Sequence, residues 1–305
     1  MQYFKFLNLS NRNVVGAIWM VFGVLFFAET AILIKLLGDK LHTFQIVFFR
    51  CLFGLIVVGP LIIKSGSNIF KIEKPLLHTI RVICAIIGMS AGFYAITKLE
   101  LATAVALAFT RPLFMIILAI FILKEFVGWR RGVATLIGFI GVLIIVQPGS
   151  TEFNPAILSG LLSAVAVGSA LISVKLIVPY DSPEKIMLTF SFGTVIVSII
   201  PAVLVWRIPD NYELILLVSL GIFASLGQYC TIRAYESGEA TLMSPIDYLQ
   251  IIFLSLAGFY IFNEIPIIST FIGASIIILS TLYIIVRGAK KDVSPSPPSG
   301  PALSP

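Results

Sequence analysis

Ten apolar stretches, each long enough to cross a bilayer, fill this 305-residue chain almost end to end. Backbone groups in hydrocarbon must be satisfied within the protein, so only helices or a closed barrel can span. The short alternating stretches of a barrel do not occur here. The spans read at about 14–37, 44–63, 77–98, 101–123, 132–147, 156–178, 186–206, 213–233, 240–262 and 265–287. The second five echo the first five. Residues 95–141 and 234–280 align at a constant offset of 139, which sets Ala95 on Ala234, Glu100 on Glu239, Glu125 on Glu264 and Ala134 on Gly273. Each half holds an odd number of spans, so the second half enters the membrane from the opposite side. That is the pattern of an inverted-topology repeat, which many secondary transporters use for alternating access. The expected fold class is therefore an all-α membrane protein of ten transmembrane helices in two inverted five-helix repeats. The repeats cover residues 1–149 and 150–288, and a disordered Ser/Pro-rich tail covers 289–305.

Composition agrees. The chain is 58% hydrophobic and 12% charged, with a mean hydropathy of +1.05, whereas soluble domains carry about 25% charged residues. The net charge of +6 is a topology signal rather than a nucleic-acid footprint. With the N-terminus inside, fourteen Lys and Arg fall at the inner loops and helix ends, against four outside: Lys35, Lys40, Lys98 and Arg207. The positive-inside rule then puts both termini in the cytoplasm. The first apolar stretch exceeds a signal h-region in length and has no small-residue cleavage site after it, so it reads as a retained helix. Cys51, Cys84 and Cys230 lie inside spans and read as small packing residues.

Several chemistries are excluded. No G-x-x-x-x-G-K-[ST] loop is present for ATP. The two histidines, His42 and His78, sit near opposite faces, which leaves no His-based metal or catalytic site, so the expectation is no cofactor, no metal and no enzyme activity. The expected partners are a small-molecule substrate and the lipid bilayer. An intramembrane enzyme or a non-transporting scaffold is the reading from a different class.

Ionisable groups at membrane depth cost ~2.5–3.5 kcal/mol on insertion scales, so each needs a partner or a task. Glu29 on the first span and Arg50 on the second lie at matching depths, about 12 and 9 Å from the outer ends at 1.5 Å per residue. They read either as a permanent ion pair or as cavity and gate residues. Arg111 comes roughly 15 Å into the fourth span, next to Pro112, which is expected to kink that helix. It reads as a cavity residue or as half of a buried pair. Asp247, Tyr248 and Gln250 on the ninth span occupy the region that Arg111 occupies in the first repeat. Asp247 is a candidate for substrate, for proton coupling, or for pairing with Arg111. Tyr94 and Gln228, with Tyr229, suit a planar or heterocyclic ligand or, as aromatic residues inside spans more often do, face lipid or pack between helices. Arg81 and Lys175 read as snorkelling cations. Glu125 and Glu264 read as carboxylates complementing the N-termini of the fifth and tenth helices. Gly88 and Gly92 form a G-x-x-x-G for close packing.

The run from Leu123-Lys-Glu-Phe-Val-Gly-Trp129 to Gln147-Pro-Gly149 resembles the fourth-to-fifth helix junction of the EamA-type carriers of the drug/metabolite transporter superfamily. Phe262-Asn-Glu-Ile-Pro266, followed by Ile272-Gly-Ala274, resembles the ninth-to-tenth junction. The stretch Leu37 to Arg50 and the run Phe153-Asn-Pro-Ala-Ile-Leu158 are similar to S-adenosylmethionine uptake carriers, and Pro245-Ile-Asp-Tyr248 meets the family pattern of helix nine. Riboflavin importers and amino-acid exporters share much of this pattern. The resemblance implies ten helices in two inverted repeats and a cavity lined mainly by helices 1, 3, 4, 6, 8 and 9. It also implies secondary transport of a small polar metabolite, with S-adenosylmethionine the leading substrate.

Overall fold

The computed structural model describes residues 2–65, 72–122, 129–147, 154–177, 179–181, 183–237, 246, 249–265 and 267–292. The described secondary structure is helical throughout. Its helices are α1 (Gln2–Gly38), α2 (Thr43–Ser65), α3 (Pro75–Lys98), α4 (Leu101–Ala108), α5 (Arg111–Ile122) and α6 (Trp129–Val146), then α7 (Ala156–Ile177), α8 (Pro183–Leu204), α9 (Asn211–Ser237), α10 (Leu249–Phe262) and α11 (Ile268–Asp292). Val14–Gly38, Pro75–Lys98, Leu101–Ile122, Ala156–Val174 and Asn211–Thr231 are long and apolar enough to cross a membrane. Thr43–Leu55, Gly132–Ile145, Leu188–Leu204, Leu249–Phe262 and Ile268–Ser280 are shorter apolar helices. With α4 and α5 taken as one crossing, this order matches the spans expected from the sequence.

Lipid tails are as apolar as leucine, so helices in a bilayer associate through close packing and interhelical hydrogen bonds instead of water exclusion. The main pairs are α1 with α9, α3 with α7, and α6 with α11, while α2 packs on both α8 and α9. Small residues sit at these crossings. A Cβ on Gly88 would come within 2.7 Å of Val167, and one on Gly92 within 2.6 Å of Ser163. In the space this leaves, Ser163 donates to Gly88 O at 2.7 Å and Ser159 to Ala91 O at 3.0 Å, tying α7 to α3. The G-x-x-x-G on α3 thus does what its spacing predicts.

At the α6–α11 crossing a Cβ on Gly141 would lie 2.7 Å from Gly273 O, and a Cβ on Gly273 2.6 Å from Gly141 O. Each helix meets the other's backbone, which cannot rotate away as a side chain can. Gly141→Val is therefore expected to force the two helices apart at a cost of about 1–3 kcal/mol, the usual range for overpacking. A lowered Tm of the detergent-solubilised protein checks this, and an unchanged Tm would show that the crossing yields.

Candidate functional site

The fourth crossing is interrupted near its middle, and the charged residue sits at the interruption. The expectation was one helix kinked at Pro112. Instead α4 ends at Ala108, Phe109 and Thr110 form a turn, and α5 begins at Arg111. The reason is local. Proline has no N–H and a fixed φ, which disrupts a helix interior but suits its first turn. The break therefore falls just ahead of Pro112. Thr110 N bonds Leu107 O at 3.0 Å and the Thr110 hydroxyl donates to the same oxygen at 2.6 Å, closing α4. Leu113 N and Phe114 N, at 3.0 and 3.2 Å, both turn to Thr110 O and start α5. Arg111, half-buried, is the first residue of α5. Gly168 on α7 faces it without a side chain; a Cβ there would be 3.9 Å from Arg111 Cγ.

The other expected site residues are distributed as follows. Arg50 is half-buried on α2 and its Nη1 donates to Met89 Sδ on α3 at 3.2 Å. Glu29 is exposed, in line with the exposed side chains of Ile18, Phe22 and Leu25 on one face of α1. No ion pair or hydrogen bond joins Glu29 to Arg50 among the described residues, so the stitching ion pair is not formed. Tyr94 is exposed on α3, and Gln228 on α9 and Gln250 on α10 are half-buried. Tyr229 packs edge-on against Trp19, centroids 6.0 Å apart, across the α1–α9 contact. Asp247 and Tyr248 lie outside the described residues, as do Glu125 and the side chain of Lys175. Arg81 does not snorkel: Nη1 donates to Ile186 O at 2.6 Å and the guanidinium lies 4.5 Å from the Phe190 ring centroid.

Two polar clusters, one at each end of the bundle, were not legible in the sequence. At the end reached by the C-terminus of α1, Lys35 pairs with Glu264 and donates to Leu99 O at 2.6 Å. The second Glu264 oxygen accepts from Leu101 N at 2.9 Å. Glu264 does complement a helix N-terminus, but that of α4, not that of its own following helix. Its position follows from the end of α10, where Asn263 takes a left-handed φ of 53° and Glu264 N returns to Gly258 O at 2.9 Å. Gly258 leaves the carboxylate its room: a Cβ there would be 2.9 Å from Glu264 Oε2. The sequence signal was the pairing of Glu125 with Glu264 at the repeat offset.

At the opposite end, buried Asp181 in the α7–α8 connection accepts from Glu73 N at 3.2 Å and faces His78 Nε2 at 3.2 Å and Lys185 Nζ at 3.6 Å. Thr189 Oγ1 meets His78 Nδ1 at 2.8 Å. Burial pushes the Asp181 carboxyl up, but the His78 hydrogen bond, the Glu73 N–H and the charges of His78 and Lys185 outweigh it and hold it below its ordinary value. No cluster of three or more His, Cys, Asp or Glu side chains gathers to hold a metal among the described residues.

The family model of the EamA-like transporters matches this chain twice, over residues 14–147 and 154–286. The chain belongs to the EamA-like transporter family. Members are membrane carriers, so this EamA protein is a transporter and not an enzyme. Among its relatives, the S-adenosylmethionine uptake transporter of Rickettsia prowazekii is 35% identical over 90% of this chain and 94% of its own length. The protein of the same description from Rickettsia bellii is 34% identical over 90% and 95%. The riboflavin transporter of Vibrio cholerae is more distant, 27% identical over 93% and 97%. A solved crystal structure of a protein 17% identical superposes with a TM-score of 0.58 over 93% of this chain and 99% of that one, sharing its fold.

Proposed function

We propose that this EamA protein is a secondary carrier that moves S-adenosylmethionine across the bacterial inner membrane by alternating access. Both termini are cytoplasmic in this reading, so the Lys35 end faces the periplasm. The observation that carries the site is the interruption of the fourth crossing with Arg111 at the first position of α5. Discontinuous helices at mid-membrane are where carriers of this kind hold charged substrates. An arginine there offers a planar fork to the substrate carboxylate. Glu29 suits the ammonium or sulfonium: a carboxylate on an exposed mid-helix face is tolerable only where that face meets water, which supports a hydrated passage along α1. Tyr94, Gln228 and Gln250 are assigned to the adenine ring, with Arg50, Asp247 and Tyr248 completing the substrate and coupling set. The choice of S-adenosylmethionine rests on the Rickettsia relatives.

The inverted repeat, with halves at 1–149 and 150–288, draws support from the packing. Exchanging each crossing with the one five later turns the α1–α9 pair into α7–α3, and α6–α11 into itself. Gly88 and Gly227 are 139 residues apart and occupy those two equivalent contacts. The exchange also carries the Gly141–Gly273 contact onto the hydrogen bond from Ser280 Oγ to Ala134 O. Finally, Lys40 lies 5.1 Å from the Tyr212 ring at one end and Lys74 4.7 Å from the Tyr180 ring at the other.

Uptake of labelled S-adenosylmethionine into proteoliposomes tests this reading. Saturable uptake is expected, and arms with a pH gradient and with internal S-adenosylhomocysteine separate proton coupling from exchange. Saturable riboflavin uptake with none of S-adenosylmethionine would overturn the substrate and leave the carrier.

A further inference from the structure

We propose that Lys35 is the bolt of a gate at the periplasmic end, held by Glu264 while that end is closed and passed to Glu100 when it opens. The assignment of this end to the periplasm rests on the proposed orientation; the gate itself rests on the following geometry.

Lys35 on α1, the Leu99–Leu101 turn between α3 and α4, and Glu264 between α10 and α11 form one knot joining three parts of the chain. Lys35 Nζ also lies 5.3 Å from the Phe262 ring centroid. Around the knot the helices are drawn together. A Cβ on Gly38 at the end of α1 would overlap the Thr97 side chain at the end of α3, and Thr103 of α4 bonds Thr270 of α11 at 3.0 Å. The repeat exchange maps the α1–α3 contact onto α7–α9 and the α4–α11 contact onto α10–α6. Among the described residues neither of those pairs packs comparably. Among the described residues, then, the bundle is tied more closely at the Lys35 end than at the other, as expected of a carrier with that side shut.

The second resting place for Lys35 is already built. Glu100 Oε2 is buried and has no hydrogen-bond partner among the described residues. A buried carboxylate oxygen without a donor is a costly arrangement that needs an explanation. Glu100 and Asp39 both act electrostatically on the Lys35 ammonium. Because Lys35 also bonds Leu99 O, one residue from Glu100, a change of side-chain rotamer would carry the ammonium from Glu264 to Glu100 without leaving the α3–α4 turn. Opening then exchanges one ion pair for another, and neither state is left with an unpaired lysine. Two carboxylates within reach of one cation are what a two-state gate with a small free-energy gap needs.

Distance measurement by spin labels tests this without substrate, so a failed uptake assay and a failed gate are separable. Labels go at Lys98→Cys on α3 and Ile268→Cys on α11, both exposed positions at this end, with Cys51, Cys84 and Cys230 replaced by alanine. Glu264→Gln is expected to raise the long-distance population about tenfold, because a minor open state of a few per cent becomes a major one. Glu100→Gln is expected to deplete it below the parent level. Should Glu264→Gln fail to fold, Lys35→Met is to give the same opening. A distribution unmoved by loss of either Glu264 or Lys35 overturns the gate. Opening by Glu100→Gln overturns the exchange.

Discussion

Arg111→Ala is expected to lower S-adenosylmethionine uptake, as kcat/KM, by about thirtyfold or more, because truncating one partner of a buried charged hydrogen bond costs ~2–5 kcal/mol and each ~1.4 kcal/mol is tenfold. The position explains the size of the effect. Arg111 opens α5 at the break in the fourth crossing, with Gly168 leaving space beside its stem. A carboxylate at this depth has little water to fall back on once the guanidinium is gone. Arg111→Lys keeps the charge but loses the two-pronged geometry, so it is expected to fall between wild type and alanine. A merely structural arginine would behave differently: its loss would lower the Tm of the purified protein and would act on uptake of every substrate alike. The discriminating readout is a rise in KM for S-adenosylmethionine at nearly unchanged Tm. Wild-type kcat/KM in the alanine variant would remove Arg111 from the site.

What could be read from the sequence was what periodic or local patterns encode. Hydropathy placed the crossings, and the G-x-x-x-G of α3 correctly predicted a close helix contact. Reading failed where the outcome depends on azimuth or on distant contacts. Glu29 and Arg50 share a depth, but depth along two helices does not fix which way each faces, and Arg50 turned to Met89 on α3. Pro112 signalled a disturbance, yet the break fell before it because proline is accommodated in the first turn of a new helix. Its place in the sequence pairs Glu264 with the helix it precedes. In fact it complements α4, whose Leu101 lies 163 residues away in sequence, a distance no local dipole argument spans. His78 has no metal-ligand neighbour in the sequence, and its bond to Asp181 links residues 103 apart. Such pairs become visible only once the helices are assembled.

Asp181→Ala is expected to destabilise the protein by ~3–5 kcal/mol, the range for removing one member of a buried charged cluster, since His78 and the Glu73 N–H are left without their acceptor. The ion pair of Arg207 with Glu213 makes a partial contrast: Glu213 is buried but Arg207 is 52% exposed, so water screens the cation of that pair. The Asp181 effect carries a pH signature. Its folded carboxyl is held below its ordinary value, and an unfolded aspartate titrates near ~3.9. The stabilisation is therefore fully present above about pH 4 and is lost as pH falls through the lower folded value. Wild-type Tm should drop in that acid window by more than the Tm of Asp181→Asn, which has no carboxyl to protonate; parallel acid profiles would show that the carboxylate charge contributes nothing there. The cluster joins α3 to the α7–α8 connection, alongside the existing α3–α7 contact, so it holds together helices that already pack as one body. Asp181→Ala should thus lower Tm without lengthening the Lys98–Ile268 label distance, whereas Glu264→Gln should lengthen that distance. A tie within a body and a bolt between bodies have opposite readouts, and a lengthened distance in Asp181→Ala would put this end of the bundle into the gate as well.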